Sequence, residues 1–430
     1  MPIIVLLPKA GASPPAPSLG LPTVLVSIGR PIGWQLGIAG KSELGITTQL
    51  VTSVYEEIPG MRGCSIQRGR EHALDRVETG KARVRLANRD GIYTPENEAS
   101  PYWPDIRPMT PLRIQATYST ITYDLFTGFI EGLPQTWTQG PAGDAYIELR
   151  AVDAFKVLNL AKVTITRPVE GAGARITALL DAIGWPASLR AIDAGDSDVQ
   201  AVTLEGVSIL SHIQEVAASE GGVLFVSTSG VVTFLGRFHV VLLQEPDDIW
   251  GDVVGENPYE DLTTDHDDEH LWNEVTVTAP GLVDQVAVDL ESQALFSPFG
   301  VTAPRSLPPV STLLTTEAEM LERAEFILSR GAAPRQRVTS MTLDTRADAA
   351  QVPRMLIREI HDRVVARKRP SSGGLIDQPS IVEGIRWDYA ASRYLRATWA
   401  LSSTAYQQGQ WQLGVPGKSE LGITTSLVST

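Results

Sequence analysis

Lys81-Ala-Arg-Val-Arg-Leu86 alternates without a break: Ala82, Val84 and Leu86 fall on one face of an extended chain, and Lys81, Arg83 and Arg85 on the other. Such a period predicts a strand with one face in a core and the other in water. Leu112-Arg-Ile-Gln-Ala-Thr-Tyr118 repeats the pattern, as does Ala145-Tyr-Ile-Glu-Leu-Arg-Ala151 after the turn residues Gln139-Gly-Pro-Ala-Gly143. Strands of this kind, separated by Gly and Pro turns, predict a small β-barrel or sandwich over 56–160.

Beyond it the period changes. Arg175-Ile-Thr-Ala-Leu-Leu-Asp-Ala-Ile183 and Ser208-Ile-Leu-Ser-His-Ile-Gln-Glu-Val-Ala217 have helical spacing, the second with Ile209, Ile213 and Val216 on one stripe. Gly221-Gly222 stops that helix, and Val223-Leu-Phe-Val226 with Val231-Val-Thr-Phe234 reads as a hairpin. Residues 161–265 are therefore expected to form an α+β insertion. Alternation returns at Glu274-Val-Thr-Val-Thr278, and Thr316 with Glu319 offers a capping box for a helix stacking Met320, Ala324 and Ile327. Strand character at Val364 to Ala366, and a hairpin of Ile385-Arg-Trp-Asp-Tyr389 with Leu395-Arg-Ala-Thr-Trp399, predict a second barrel over 266–405. The fold class is mainly β with an α+β insertion.

Both ends look different. Ala12-Ser-Pro-Pro-Ala-Pro-Ser18 favours extended backbone, so residues 1–55 read as an arm whose deletion to residue 53 should leave the barrels folded. The arm carries Trp34-Gln-Leu-Gly-Ile-Ala-Gly-Lys-Ser-Glu-Leu-Gly-Ile-Thr-Thr-Gln-Leu-Val51. Nearly the same peptide closes the chain over 406–430 as Trp411-Gln-Leu-Gly-Val-Pro-Gly-Lys-Ser-Glu-Leu-Gly-Ile-Thr-Thr-Ser-Leu-Val428. Two terminal copies are no solenoid. They read as a docking peptide with anchors Trp34, Leu36 and Leu44, and Trp411, Leu413 and Leu421; surface hairpins or remnants of a duplication are the alternatives.

Composition bounds the function. The 430 residues carry 50 acidic and 36 basic side chains, a net charge of −14, which argues against a chain that binds DNA over its whole surface. A single cysteine, Cys64, excludes an intrachain disulfide and a thiolate-rich zinc site. The apolar opening to Pro8 lacks a basic flank and the length of a membrane span, so no signal peptide or membrane anchor is expected.

The segments Ser65-Ile-Gln-Arg-Gly-Arg-Glu-His-Ala-Leu-Asp-Arg-Val-Glu-Thr-Gly80, Leu86-Ala-Asn-Arg-Asp-Gly-Ile-Tyr-Thr-Pro-Glu-Asn97 and Ser100-Pro-Tyr-Trp-Pro104 resemble minor tail proteins of actinobacterial siphophages. The similarity is to their tail-tip hub class, which is close in architecture to the baseplate hub of contractile tails and to the N-terminal part of secretion-system spikes. It continues at Tyr123-Asp-Leu-Phe-Thr-Gly-Phe-Ile-Glu-Gly132, Asn273-Glu-Val-Thr-Val277 and Val382-Glu-Gly-Ile-Arg-Trp387. The resemblance implies two small β-barrels of tail-hub type around an α+β insertion. It also implies three copies in a ring at the distal end of a virion tail, made in the host cytoplasm. Its partners would be the distal tail protein, the tape measure protein and other tail-tip proteins, with DNA passing transiently and without specific binding.

Three local features bear on chemistry. Tyr93-Thr-Pro95 and Ser100-Pro-Tyr-Trp-Pro104 make a stiff excursion, read as an ordered barrel loop or as an intersubunit contact through Tyr102 and Trp103. Asp265-His-Asp-Asp-Glu-His270 reads as a solvated acidic loop, with divalent-metal binding as the competing reading. Arg354, Arg358, Arg363, Arg367, Lys368 and Arg369 fall within 16 positions, either as a wet face or as a surface meeting nucleic acid or an acidic partner. No nucleophile elbow, phosphate loop or HExxH motif occurs, so neither an enzyme nor a cofactor is expected. A structural hub is the expected function, and a receptor- or glycan-binding tip protein using Trp103 and Trp137 is the alternative.

Overall fold

The computed structural model describes residues 21–32, 52–72, 75–138, 144–239, 248–266, 271–297, 301, 304–331 and 337–404. The alternation that opens the sequence reading is realised in the strand Glu78–Ala87, where Ala82, Val84 and Leu86 are buried and Lys81, Arg83 and Arg85 exposed. At roughly 1.5–3 kcal/mol for each large apolar side chain removed from water, this face alone fixes which side of the strand meets the core. The strands Pro111–Tyr118 and Ala145–Val152 follow the same rule.

These strands belong to one sheet whose long path is antiparallel throughout. In spatial order it runs Asp261–Asp265, Arg337–Asp344, Tyr394–Ser403, Ile376–Ala390, Met61–Gly69, Glu78–Ala87, Ala145–Val152, Ile121–Gly132, Pro111–Tyr118, Thr23–Ile32 and Thr52–Glu57. Arg363–Lys368 pairs with Ile376–Ala390 off this path. The two barrels expected from the sequence are therefore not separate: Met61–Gly69 from the first section is hydrogen-bonded to Ile376–Ala390 from the second. Among the described residues the path keeps two open ends and closes into no ring. One buried cluster runs through both sections, from Val84 and Ile114 to Trp399, whose indole packs edge-on against Trp250 with ring centroids 5.0 Å apart. Alternation tells which face of a strand is buried; it does not tell which strand lies beside it.

Two boundaries shift accordingly. Thr23–Ile32, expected in the arm, is a ten-residue strand pairing with Pro111–Tyr118 and Thr52–Glu57, with Val24, Val26 and Ile28 in the main core. Asp261–Asp265, expected in the insertion, is an end strand of the main sheet.

The insertion has its own core. Helices Ala172–Ala182 and Ile209–Glu220 bury Ile176, Leu179, Ile209, Ile213 and Val216 against the hairpin of Val223–Val226 and Val232–Leu235. Gly221 ends the second helix in the left-handed region at φ 76°, where a residue without Cβ costs least. A third core forms where the helix Glu317–Gly331 lays Met320, Ala324 and Ile327 on Val275 and Val277 of a three-stranded sheet. Thr316 Oγ1 accepts from the Glu319 N–H at 3.3 Å, as the capping pattern predicts.

Candidate functional site

The segment that carries the family resemblance is where these parts are tied together. Arg68, at the end of Met61–Gly69, is 4% exposed; its Nη2 donates to the Val226 carbonyl at 2.6 Å and to Glu359 Oε1 at 2.5 Å. Glu359 in turn accepts from the Thr228 N–H, so the insertion hairpin is clamped to the main sheet through a partly buried ion pair. Two residues on, Arg70 Nε donates to the buried Glu383 at 2.7 Å. Gly69 lies between them at φ 92°, and a Cβ there would fall on the Glu383 carbonyl and Gly384 Cα. The Gln67-Arg-Gly-Arg70 peptide thus needs its glycine for close approach and its arginines to satisfy charges taken out of water.

Asp153 supports the same junction, accepting from the Gly80 N–H at 2.6 Å and the Phe155 N–H at 2.9 Å. Burial pushes its carboxyl up to about 7 despite these donors. The thiol of Cys64, on the buried face of Met61–Gly69, is pushed up to about 12 by burial and then by Asp388, which makes it a packing residue rather than a nucleophile.

The excursion after Leu86 is an ordered cap. Asn88 Oδ1 accepts from the Tyr93 N–H at 2.9 Å, Asn97 donates to the Gly91 carbonyl, and the Tyr93 hydroxyl donates to the Pro59 carbonyl. Tyr102, read from the sequence as part of an ordered loop or as a subunit contact, stacks on Tyr93 with ring centroids 5.3 Å apart and is 7% exposed within the main core. Its neighbour Trp103 is 45% exposed and stays available to a partner, as does Trp137 at 66%.

The basic run meets acids of its own chain. Arg354 and Arg358 pair with Asp248; Arg367 reaches Glu256 at 2.8 Å and Asp377 at 3.0 Å. Lys368 and Arg369 each lie 3.0 Å from Asp252, and Arg369 also binds Glu256 at 2.9 Å. Arg369, and then Arg367, hold the Glu256 carboxyl down at about 2; Lys368 and then Arg369 lower that of Asp252. Arg363 begins the strand Arg363–Lys368 and is half-buried. Arg367, Lys368 and Arg369 are thus each ion-paired within the chain.

Trp34, Leu36, Leu44, Trp411, Leu413 and Leu421 lie outside the described residues, as do four of the six positions in 265–270. Among the described residues no three His, Cys, Asp or Glu side chains gather as a metal site, and no helix is long and apolar enough to cross a membrane. The sequence reading missed Val286 and Val288, 48% and 42% exposed on the Gln285–Val288 end strand of the small sheet. Their alternation around buried Ala287 was the available signal.

No protein-family profile and no curated protein sequence matches the chain. Solved structures do. The tail protein from Neisseria meningitidis MC58 superposes with a TM-score of 0.57 at 13% identity, over 89% of this chain and 98% of that one. The 43 kDa tail protein of prophage MuSo2 from Shewanella oneidensis gives 0.56 at 11% identity, over 89% and 97%. The likeness is one of fold.

Proposed function

We propose that this chain is a structural protein of a phage tail and forms the hub at its distal end. The observation that carries the reading is the end-to-end match: 89% of this chain corresponds to nearly the whole of two tail proteins, not to a shared fragment. The resemblance of Ser65 to Pro104 supports the narrower assignment to a hub.

In this reading three copies surround the tail axis, joining the tail tube to tip proteins and leaving a channel for the tape measure protein and DNA. A passage for DNA must not hold it, and the pairing of Arg367, Lys368 and Arg369 with Asp252 and Glu256 suits that requirement. The terminal peptides around Trp34 and Trp411 serve as docking elements toward neighbouring tail proteins, and Trp103 as an intersubunit contact.

Disrupting the gene in a producing host and imaging the lysate tests this. A hub predicts filled heads without attached complete tails, restored by the gene in trans. Particles with normal tails that fail only to adsorb would contradict it and favour a receptor-binding protein.

A further inference from the structure

Two apolar features stand open to solvent among the described residues, and they differ in shape. One is a finger. After the strand Ile249–Trp250 the chain turns out through Asp252-Val-Val-Gly-Glu256, where Val253 is exposed and Val254 fully so. Its base is held from both ends. The Gly251 N–H donates to the Asn257 carbonyl at 2.9 Å, Asp252 accepts from the Arg369 N–H at 3.1 Å, and Glu256 takes Arg369 Nη1 and Nη2 at 2.9 Å each. Trp250, just before it, is buried in the main core.

The other feature is flat. On the end strand Gln285–Val288 of the small sheet, Ala287 lies across from Val275 on the side packed by the helix Glu317–Gly331, so Val286 and Val288 stand on the opposite face. Val283 and Leu290, on either side of the strand, are exposed as well. These four fall within eight positions. Single exposed apolar side chains are ordinary, whereas contiguous ones mark contact surfaces.

The charges around the two features are opposite. At the base of the finger the side chains of Lys368 and Arg369 are 41% and 37% exposed, and those of Asp252 and Glu256, which bind them, 20% and 8%. Asp377, as exposed as Lys368, binds Arg367 instead. The patch is bordered by exposed Asp284, Glu291 and Glu317, the last accepting from the Val283 N–H at 3.2 Å.

We propose that the finger of one copy docks on the patch of the next, with Val253 and Val254 against Val286 and Val288, and Lys368 and Arg369 toward the acidic border. The inference rests on the reading of the chain as a ring of copies and names the surfaces through which successive copies meet. Finger and patch are unlike surfaces of one chain, so the contact is head-to-tail, the kind that closes into a ring when the rotation allows. A finger already held in one shape loses little freedom on docking. A second copy fits the patch better than a lipid surface does, because anionic headgroups repel acid-bordered valines.

The test uses virions from a host in which the gene is disrupted and supplied in trans as the double variant Val254→Cys with Val286→Cys. Cys64 is buried and does not compete. A short bismaleimide should join the double variant into species of two and three times the chain's mass on a denaturing gel, and neither single variant should give them. Virions that carry the double variant yet yield only single chains overturn the proposal and leave the hub reading standing. Native virions that lack the chain overturn the hub reading as well. Covalent pairs from Val254→Cys alone would mean a finger-to-finger contact and also overturn it. Val254→Asp supplies a second measurement: the purified variant should melt as the native chain does but be depleted from virions at least about tenfold, as for an interface anchor. Incorporation at the native level contradicts the docking.

Discussion

Ile66 lies directly across an antiparallel ladder from Trp387, and both side chains point into the main core, 1% and 2% exposed. This pairing joins the N-terminal and C-terminal parts of the sheet, and the stability of the whole rests on how closely the two strands approach.

Gly69→Ala tests that approach. At φ 92°, with the Glu383 carbonyl where a Cβ would sit, alanine should cost at least about 1–3 kcal/mol from backbone strain, and more from the clash. Chemical denaturation would measure it. A change below a few tenths would mean that the junction is looser than described.

Removing residues 1–53 should now destabilise the fold, contrary to the expectation from sequence. It deletes the strand Thr23–Ile32 and with it buried Val24, Val26 and Ile28, roughly 1.5–3 kcal/mol each. Removing residues 1–20 spares the strand, and this variant should be more stable than the one lacking 1–53. Equal stability of the two truncations, by thermal melting, would contradict the placement of that strand.

Freeing the basic run should create an affinity the native chain lacks. In the double variant Asp252→Asn with Glu256→Gln, Arg367, Lys368 and Arg369 lose their main partners. Gel-shift assays at low salt should show duplex DNA retained by the variant and not by the native chain, with binding abolished as salt rises. Retention of DNA by the native protein under the same conditions would refute internal neutralisation.

Two buried groups bend the acid side of the stability profile in opposite senses. The Asp153 carboxyl stands at about 7 in the folded chain against an ordinary 3.8, so its contribution is complete below 3.8 and is lost as pH rises through 7. Burial, with Arg70 adding to it, takes His361 down to about 4 from 6.5, so its contribution is complete above 6.5 and is lost as pH falls through 4. Asp153→Asn should therefore make stability fall more steeply from pH 7 to 4.5 than in the native chain. His361→Asn, which tolerates the φ of 78° there, should make it fall less. Each slope is bounded at about 1.4 kcal/mol per pH unit. Superimposable profiles for all three proteins would contradict both assignments.

Faces were legible in the sequence and neighbours were not. The alternation at Lys81 to Leu86 and the stripe of Ile209, Ile213 and Val216 are local, and the structure buries those very residues. That Met61–Gly69 would choose Ile376–Ala390 depends on contacts no period encodes. Val24, Val26 and Ile28 do alternate, but the proline-rich stretch before them drew the whole region into an arm. Three of the acids that meet the basic run, Asp248, Asp252 and Glu256, sit more than 100 positions away, where no local pattern could announce them.

The central claim, a hub at the distal end of a tail, is tested most directly by an electron cryomicroscopy map of the intact virion into which this fold is fitted. The account predicts three copies around the axis below the tail tube, enclosing an open channel, with Trp103 at or near a boundary between copies. A map placing the chain elsewhere in the particle, or as a single copy off the axis, would contradict it.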